Sequence, residues 1–222
     1  MIVGEQKPLG EIKTNVSPYH RLLILGCGTC VKTCFAGGED EVATLASALR
    51  LAFKQEGRIM QITEQTIERQ CEDEFIREAA PQVARCDAVL SLACGAGVQM
   101  VASRFPGVPV LPGVNTTFLG VLEKQGLFTE KCLGCGSCFV HQFAGVCPLS
   151  RCAKKLLNGP CGGSRNGKCE VDPETDCAWQ LIIDRAKAAG SLDRLVDYIP
   201  PKDWRTSYAG GPRKVFREDY VI

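Results

Sequence analysis

The spacing of apolar positions predicts an α/β unit in residues 20–130. RLLILG at 21–26 is a continuous apolar run, which is typical of a strand buried on both faces. Residues 39–57 then carry apolar side chains at helical spacing, with acidic residues in the first turn and Gly57 as the stop. The apolar face of this helix consists of Val42, Leu45, Ala46, Leu49 and Phe53.

The same reading continues along the unit with alternating strands and helices. Helices are predicted within 71–86, where Pro81 kinks or restarts the helix, at 98–105 and as a short stretch near 118–126. Further strands are predicted at 58–63, 87–95 and 108–115. Strands that alternate with helices favour a parallel sheet with right-handed crossovers, in a Rossmann-like or flavodoxin-like layout.

Three segments flank this unit. Residues 1–19 are interpreted as an N-terminal arm, because Pro8, Gly10 and Pro18 break any long element. Residues 131–177 form a small cysteine-rich module, and residues 178–222 form helices followed by a tail, with a helix break near Gly190. The tail is rich in proline and glycine and contains the aromatic residues Trp204, Tyr208, Phe216 and Tyr220. This composition suits either a disordered end or a segment that binds a partner.

Charge and apolar run length limit the classes of function. The 222 residues carry a net charge of +1, which gives no electrostatic reason to expect nucleic acid or a membrane surface as partner. The apolar runs are too short for a membrane span. The first fifteen residues have no apolar signal region, so we expect a cytoplasmic protein and rank disulfides last for its 14 cysteines.

Cysteines follow the predicted first and third strands. Cys27, Cys30 and Cys34 are spaced C-x2-C-x3-C after the first strand, and Cys94 follows the third. In a sheet of order 2-1-3 these strands are neighbours, and their carboxyl ends flank the switch point where ligands bind. We therefore predict a four-thiolate cluster site there. A nucleotide loop and structural free thiols are the alternatives, although G-x-G-x-x-G is absent.

The two remaining cysteines of the α/β unit, Cys71 and Cys86, have no partner at ligand spacing. We interpret both as buried small apolar residues. With only two histidines, and with no serine motif or phosphate loop, no catalytic residue is predicted on this chain.

Eight further cysteines occur within residues 132–177. The opening C-x2-C-x2-C, followed later by Cys-Pro, is similar to a ferredoxin ligand run, but eight residues rather than three precede the fourth cysteine. Iron–sulfur clusters are the favoured interpretation, ahead of structural zinc and then disulfides. Interleaving between the two expected sets stays open. The first set is Cys132, Cys135, Cys138 and Cys147, and the second is Cys152, Cys161, Cys169 and Cys177.

These motifs carry a family resemblance. The run CxxCGxCxxHxxxGxCPxxxC, the string LLNGPCGG at 156–163 and DCAW at 176–179 resemble the cysteine-rich C-terminal family associated with methylenetetrahydrofolate reductase. The resemblance covers about residues 20–220. In anaerobic bacteria of the acetogen type, that family forms the small iron–sulfur subunit of the enzyme.

The resemblance implies an electron-transfer subunit with at least two [4Fe-4S] clusters. It leaves open whether a further site holds a third cluster or zinc. It implies a partner subunit, a flavin-carrying barrel, that reduces 5,10-methylenetetrahydrofolate to 5-methyltetrahydrofolate. The upstream donor would be another subunit or a ferredoxin. Two alternatives remain: a zinc-stabilised structural subunit without a redox role, and a nucleotide-binding oxidoreductase that acts alone. Cations near the ligands, such as Lys32 and Lys154, would offset cluster charge.

Overall fold

The structure is a computed structural model that describes residues 1–217 and 219. The chain divides into two compact units, Met1–Phe128 and Thr129–Ile222. Within the described residues, no helix is both long enough and apolar enough to cross a membrane.

A parallel sheet forms the centre of the first unit. Its strands are β2 (Arg21–Cys27), β3 (Gln61–Ile67), β4 (Ala88–Leu92) and β5 (Val110–Pro112), in the order β3-β2-β4-β5. All three pairings are parallel. The α/β class is confirmed, and so is the prediction that the first and third predicted strands are neighbours.

Side chains of β2 alternate between two apolar cores. Leu22 and Ile24 belong to one buried cluster, whereas Leu23 and Leu25 belong to the other. Successive side chains of a strand point to opposite faces, so both faces of this sheet are covered. This double burial explains the uninterrupted apolar run in the sequence.

Helices α2 (Cys30–Thr33), α3 (Glu39–Gln55) and α6 (Gly95–Arg104) also lie in the first unit. The Glu41 carboxylate of α3 accepts a hydrogen bond from the Gly38 N–H at 2.8 Å and so caps the helix start. The predicted apolar face of α3 is confirmed, since the same five side chains are buried. The second predicted helix is divided into α4 (Asp73–Ile76), a 3-10 turn at Arg77–Ala79 and α5 (Ala80–Val83), which Pro81 restarts.

The first nineteen residues contain two regular elements, β1 (Ile2–Gln6) and α1 (Leu9–Val16). β1 pairs antiparallel with β6 (Val114–Lys124), and β7 (Leu127–Cys132) completes a sheet of order β1-β6-β7. The residues expected to form an arm therefore contribute a strand to a sheet.

The short helix predicted near 118–126 is wrong, because these residues belong to β6 and to the turn before β7. Phe118 and Leu119 lie opposite Val3 and Ile2 of β1, which supply the backbone partners that favour a strand. Gly126 has φ +80°, a conformation that suits a tight turn between antiparallel strands.

The second unit is built from short elements around a small aromatic core. They are a 3-10 turn at Val140–Phe143, α7 (Pro148–Arg151), α8 (Ala178–Ala188) and 3-10 turns at Leu192–Val196, Trp204–Thr206 and Tyr208–Gly210. Trp179 lies edge-on to Phe143, with ring centroids 5.8 Å apart, and its indole N–H donates to the Leu156 carbonyl. The predicted break near Gly190 is confirmed. Tyr220 lies outside the described residues.

Candidate metal centres

The carboxyl edge of the parallel sheet gathers the cysteines of the first unit. Cys27 is the last residue of β2, and Cys94 comes two residues after β4 and immediately before α6. β2 and β4 are paired in register, with Gly26 opposite Leu92. Neighbouring parallel strands thus deliver both cysteines to one edge, which is where open α/β sheets bind ligands.

Cys30 and Cys34 lie on α2 and just after it. Cys30 is the first residue of the helix, and Cys34 is the residue that caps its C-terminus. The Cys34 thiol donates to the Ile2 carbonyl of β1 at 3.6 Å and packs partly buried against the apolar core. Burial raises the pKa of Cys34, and the nearby thiolate of Cys30 adds to the rise.

The interpretation of Cys71 as a buried apolar residue is wrong, because Cys71 is exposed. It follows β3 by four residues and therefore lies beyond the same edge of the sheet. Its pKa is raised first by partial desolvation and then by the nearby thiolates of Cys27 and Cys94. The sequence already places Cys71 after the second predicted strand. Residues that follow parallel strands meet at the carboxyl edge of the sheet, so the reasoning used for Cys94 applies to Cys71 as well.

Cys86, in contrast, has the packing role that its sequence context indicated. It is half-buried beside the second apolar core of the sheet, and its thiol donates to the Val83 carbonyl at 3.3 Å. Cys86 therefore provides a natural control for experiments on the other cysteines.

Gln70 joins the loop after β3 to two strands. Its side chain is fully buried, and its amide N–H₂ donates to the carbonyls of Leu25 and Gly26 at 2.7 and 3.0 Å. Its carbonyl accepts from the Ser91 hydroxyl of β4 at 2.6 Å. A buried polar side chain whose hydrogen bonds are all made locks its surroundings into one arrangement. The residue before Cys71 is thereby held at the junction of β2 and β4.

A close backbone approach fixes the position of Cys27. The Cys27 N–H donates to the Gly37 carbonyl at 2.8 Å. A Cβ placed on Gly37 would lie 1.9 Å from the Leu92 carbonyl oxygen of β4, so only glycine fits between the strands and this loop. The segment after α2 is therefore packed directly against the strand end that precedes Cys94.

Four of the downstream cysteines line one small cavity in the second unit: Cys152, Cys161, Cys169 and Cys177. Its volume is about 20 Å³. Cys152 ends α7 and Cys177 precedes α8, while the Cys169 N–H donates to the Thr175 carbonyl and the Cys177 N–H to the Gly167 carbonyl. These are the members of the second predicted set, which the structure brings together.

The cysteines of the other predicted set make mainly local contacts. The Cys132 sulfur accepts from the Gly134 N–H at 3.3 Å, and the Cys135 thiol donates to the Ser137 carbonyl at 3.5 Å. Cys138 is exposed, and Cys147 precedes α7. Across residues 1–217 and 219, no three histidine, cysteine, aspartate or glutamate side chains already stand in an arrangement that could hold a metal ion.

The comparison with family models concerns the part of the chain that holds these eight cysteines. Residues 111–205 match the family described as methylene-tetrahydrofolate reductase C terminal. The match covers less than half of the chain, and over this segment the chain is similar to that family. No curated protein and no solved structure matches the chain.

The segment that matches this family includes β6, β7, α7 and α8 together with all eight downstream cysteines. The thiols at the edge of the parallel sheet come before residue 111 and lie outside the matched segment. The family match therefore bears on the downstream set alone, and the first site is argued from geometry.

An ion pair adjoins the four-cysteine cavity of the second unit. Lys154 and Glu170 form a salt bridge on its rim, and Glu170 lines the cavity. The pKa of Glu170 lies below its ordinary value, mainly because Lys154 donates a hydrogen bond to its carboxylate. A hydrogen bond from Cys161 lowers this pKa further. Glu170 raises the pKa of Lys154, and the nearby sulfurs of Cys161 and Cys169 add to this rise. The cation that was expected to offset site charge thus lies beside a carboxylate and two cysteines of the cavity.

Proposed function

We propose that this chain is the iron–sulfur electron-transfer subunit of a methylenetetrahydrofolate reductase complex and that it works in the cytoplasm. The observation that carries the proposal is the family match over residues 111–205, which contain eight cysteines, four of them around one cavity. Thiolates in sets of four are the usual ligands of [4Fe-4S] clusters.

The chain's own contribution is to hold and insulate the clusters. The edge of the parallel sheet offers Cys27, Cys30 and Cys94 with a fourth thiol, and the second unit offers eight more. When bound, the clusters supply acceptance and release of single electrons. Backbone N–H groups directed at sulfur, such as that of Gly134, and nearby charges such as Lys154 would tune the potentials.

The partner in this proposal is a flavin-carrying reductase subunit with a barrel fold. Reduction of 5,10-methylenetetrahydrofolate to 5-methyltetrahydrofolate consumes two electrons, which the flavin would receive one at a time from this chain. A ferredoxin or a further subunit would be the donor. The chemistry on the folate would therefore take place on the partner, and the residues of this chain would bind clusters rather than substrate.

The small size of the four-cysteine cavity favours zinc as an alternative to an iron–sulfur cluster at that site. A volume of about 20 Å³ is close to the space of one water molecule. A single zinc ion with four thiolate ligands in tetrahedral geometry suits such a space. In this version the last four cysteines hold structural zinc, while the other sites carry the redox role.

Metal and sulfide counts on the anaerobically purified chain test the proposal. We expect a brown protein with about eight iron and eight sulfide atoms and one zinc, or about twelve iron atoms if a cluster fills the cavity. Cys169→Ser should remove the zinc in the first case and about four iron atoms in the second. A colourless protein without sulfide would contradict the electron-transfer role.

A further inference from the structure

We propose that Cys71 is a ligand of the cluster at the sheet edge and that Cys34 is not. The ligand set is then Cys27, Cys30, Cys71 and Cys94. This inference rests on the proposed function only in assuming that a cluster occupies the first site. It replaces one of the four cysteines that sequence spacing selected.

Three adjacent strands bring Cys27, Cys71 and Cys94 to the same edge. β3, β2 and β4 lie side by side, and each of the three cysteines ends one of these strands or follows it within four residues. The β2–β3 register places Cys27 opposite Ile67, so the loop that leads to Cys71 starts beside Cys27. The Cys27 sulfur lies 3.9 Å from the Glu68 carbonyl of that loop.

The loop after β3 is fixed rather than loosely attached. The Gly28 N–H donates to the carbonyls of Ile67 and Glu68 at 2.9 and 3.1 Å, which ties the loop to the residue after Cys27. On the other side, buried Gln70 bonds to β2 and to Ser91 of β4. Cys71 is therefore presented from a rigid backbone, as a ligand must be for a site of defined geometry.

The surroundings of the Cys71 thiol point to the other two cysteines. Cys71 is exposed, so its side chain is not committed to the apolar core. Gln70, the residue before it, bonds to the carbonyls of Leu25 and Gly26 in β2 and to Ser91 in β4. Cys71 therefore stands at the strand ends that carry Cys27 and Cys94.

Cys34 is directed elsewhere. Its thiol donates to the Ile2 carbonyl of β1, and its side chain packs against the core below the sheet. Cys27 also reaches the core, but it ends β2 at the sheet edge, whereas Cys34 follows α2 and reaches back to β1.

Single substitutions in the full-length, anaerobically purified chain test this assignment. We expect Cys71→Ser to lose about four iron atoms and one electron paramagnetic resonance signal, while Cys34→Ser keeps both. Cys86→Ser is the matched control, because this thiol lies in the same unit and only packs. Iron lost from Cys34→Ser, or retained in Cys71→Ser, would overturn the assignment. A wild-type chain without iron or sulfide would instead contradict the proposed function.

Alkylation of the wild-type chain gives a second readout that needs no variant. With cluster bound, Cys71 should be protected from iodoacetamide, and it should react after iron is removed by chelation, as peptide mass spectrometry would detect. Because Cys71 is exposed in the polypeptide itself, protection has to come from a ligand. Equal and rapid alkylation of Cys71 before and after chelation, in a chain that holds iron, would contradict the proposal.

Discussion

Cys27→Ser and Cys94→Ser are each expected to lose about four iron atoms per chain and to lose the same electron paramagnetic resonance signal. The two residues are 67 positions apart, yet they lie beyond the ends of paired parallel strands. Removal of either thiolate should therefore empty one shared site. Iron bound in the second unit should remain, because none of its cysteines is altered.

Double substitution sharpens this test. Cys27→Ser combined with Cys94→Ser should lose no more iron than either single variant, since both act on one cluster. Loss of two different parent signals would contradict the shared site.

Gly37→Ala is expected to destabilise the chain by about 4 kcal/mol or more. A methyl group at this position would lie 1.9 Å from the Leu92 carbonyl oxygen, and that oxygen belongs to a buried strand of the sheet. The loop that accepts the Cys27 N–H would have to move away from β4. Urea unfolding of the metal-free chain, followed by circular dichroism, measures the change.

Gly10→Ala is the matched control for this substitution. Gly10 lies in α1, and a Cβ there would meet nothing within 4 Å. Alanine is the better helix former, so this variant should be as stable as the wild type or more stable by up to about 1 kcal/mol. Equal stability of Gly37→Ala and Gly10→Ala would show that the approach of residue 37 to β4 is not required for the fold.

The central part of the fold could be predicted because its signals are local and strong. The apolar run of β2 and the periodicity of α3 are legible in short windows of sequence. The adjacency of β2 and β4 then follows from the strand order 2-1-3, which is typical of a flavodoxin-like doubly wound sheet. This is the reason that the adjacency of the Cys27 and Cys94 turns could be stated without a structure.

The strand character of 118–126 could not be read in the same way. Its apolar positions fit either a short helix or a strand, and the choice depends on pairing with Ile2 and Val3, more than 100 positions earlier. The same long-range pairing turns the first residues into β1. Local propensity contains no information about such a partner.

The candidate sites divide in a similar manner. Grouping Cys152 with Cys161, Cys169 and Cys177 followed from counting, and the structure places all four around one cavity. Cys71 was missed because it has no cysteine at ligand spacing and because the strand-end argument was applied to the first and third predicted strands and not to the second. Spacing identifies ligands that share a turn, whereas ligands that converge from separate strands require the topology.

The most direct test of the proposed function is whether this chain passes electrons to the flavin of a reductase subunit. The reduced, cluster-containing chain would be mixed anaerobically with an oxidised, flavin-carrying methylenetetrahydrofolate reductase subunit, and flavin absorbance followed by stopped flow. We expect the wild-type chain to bleach the flavin, and Cys27→Ser, which should lack the first cluster, to bleach it more slowly or not at all. Flavin that stays oxidised with the fully loaded wild-type chain, or that bleaches equally with the chain freed of iron, would contradict electron transfer through the clusters.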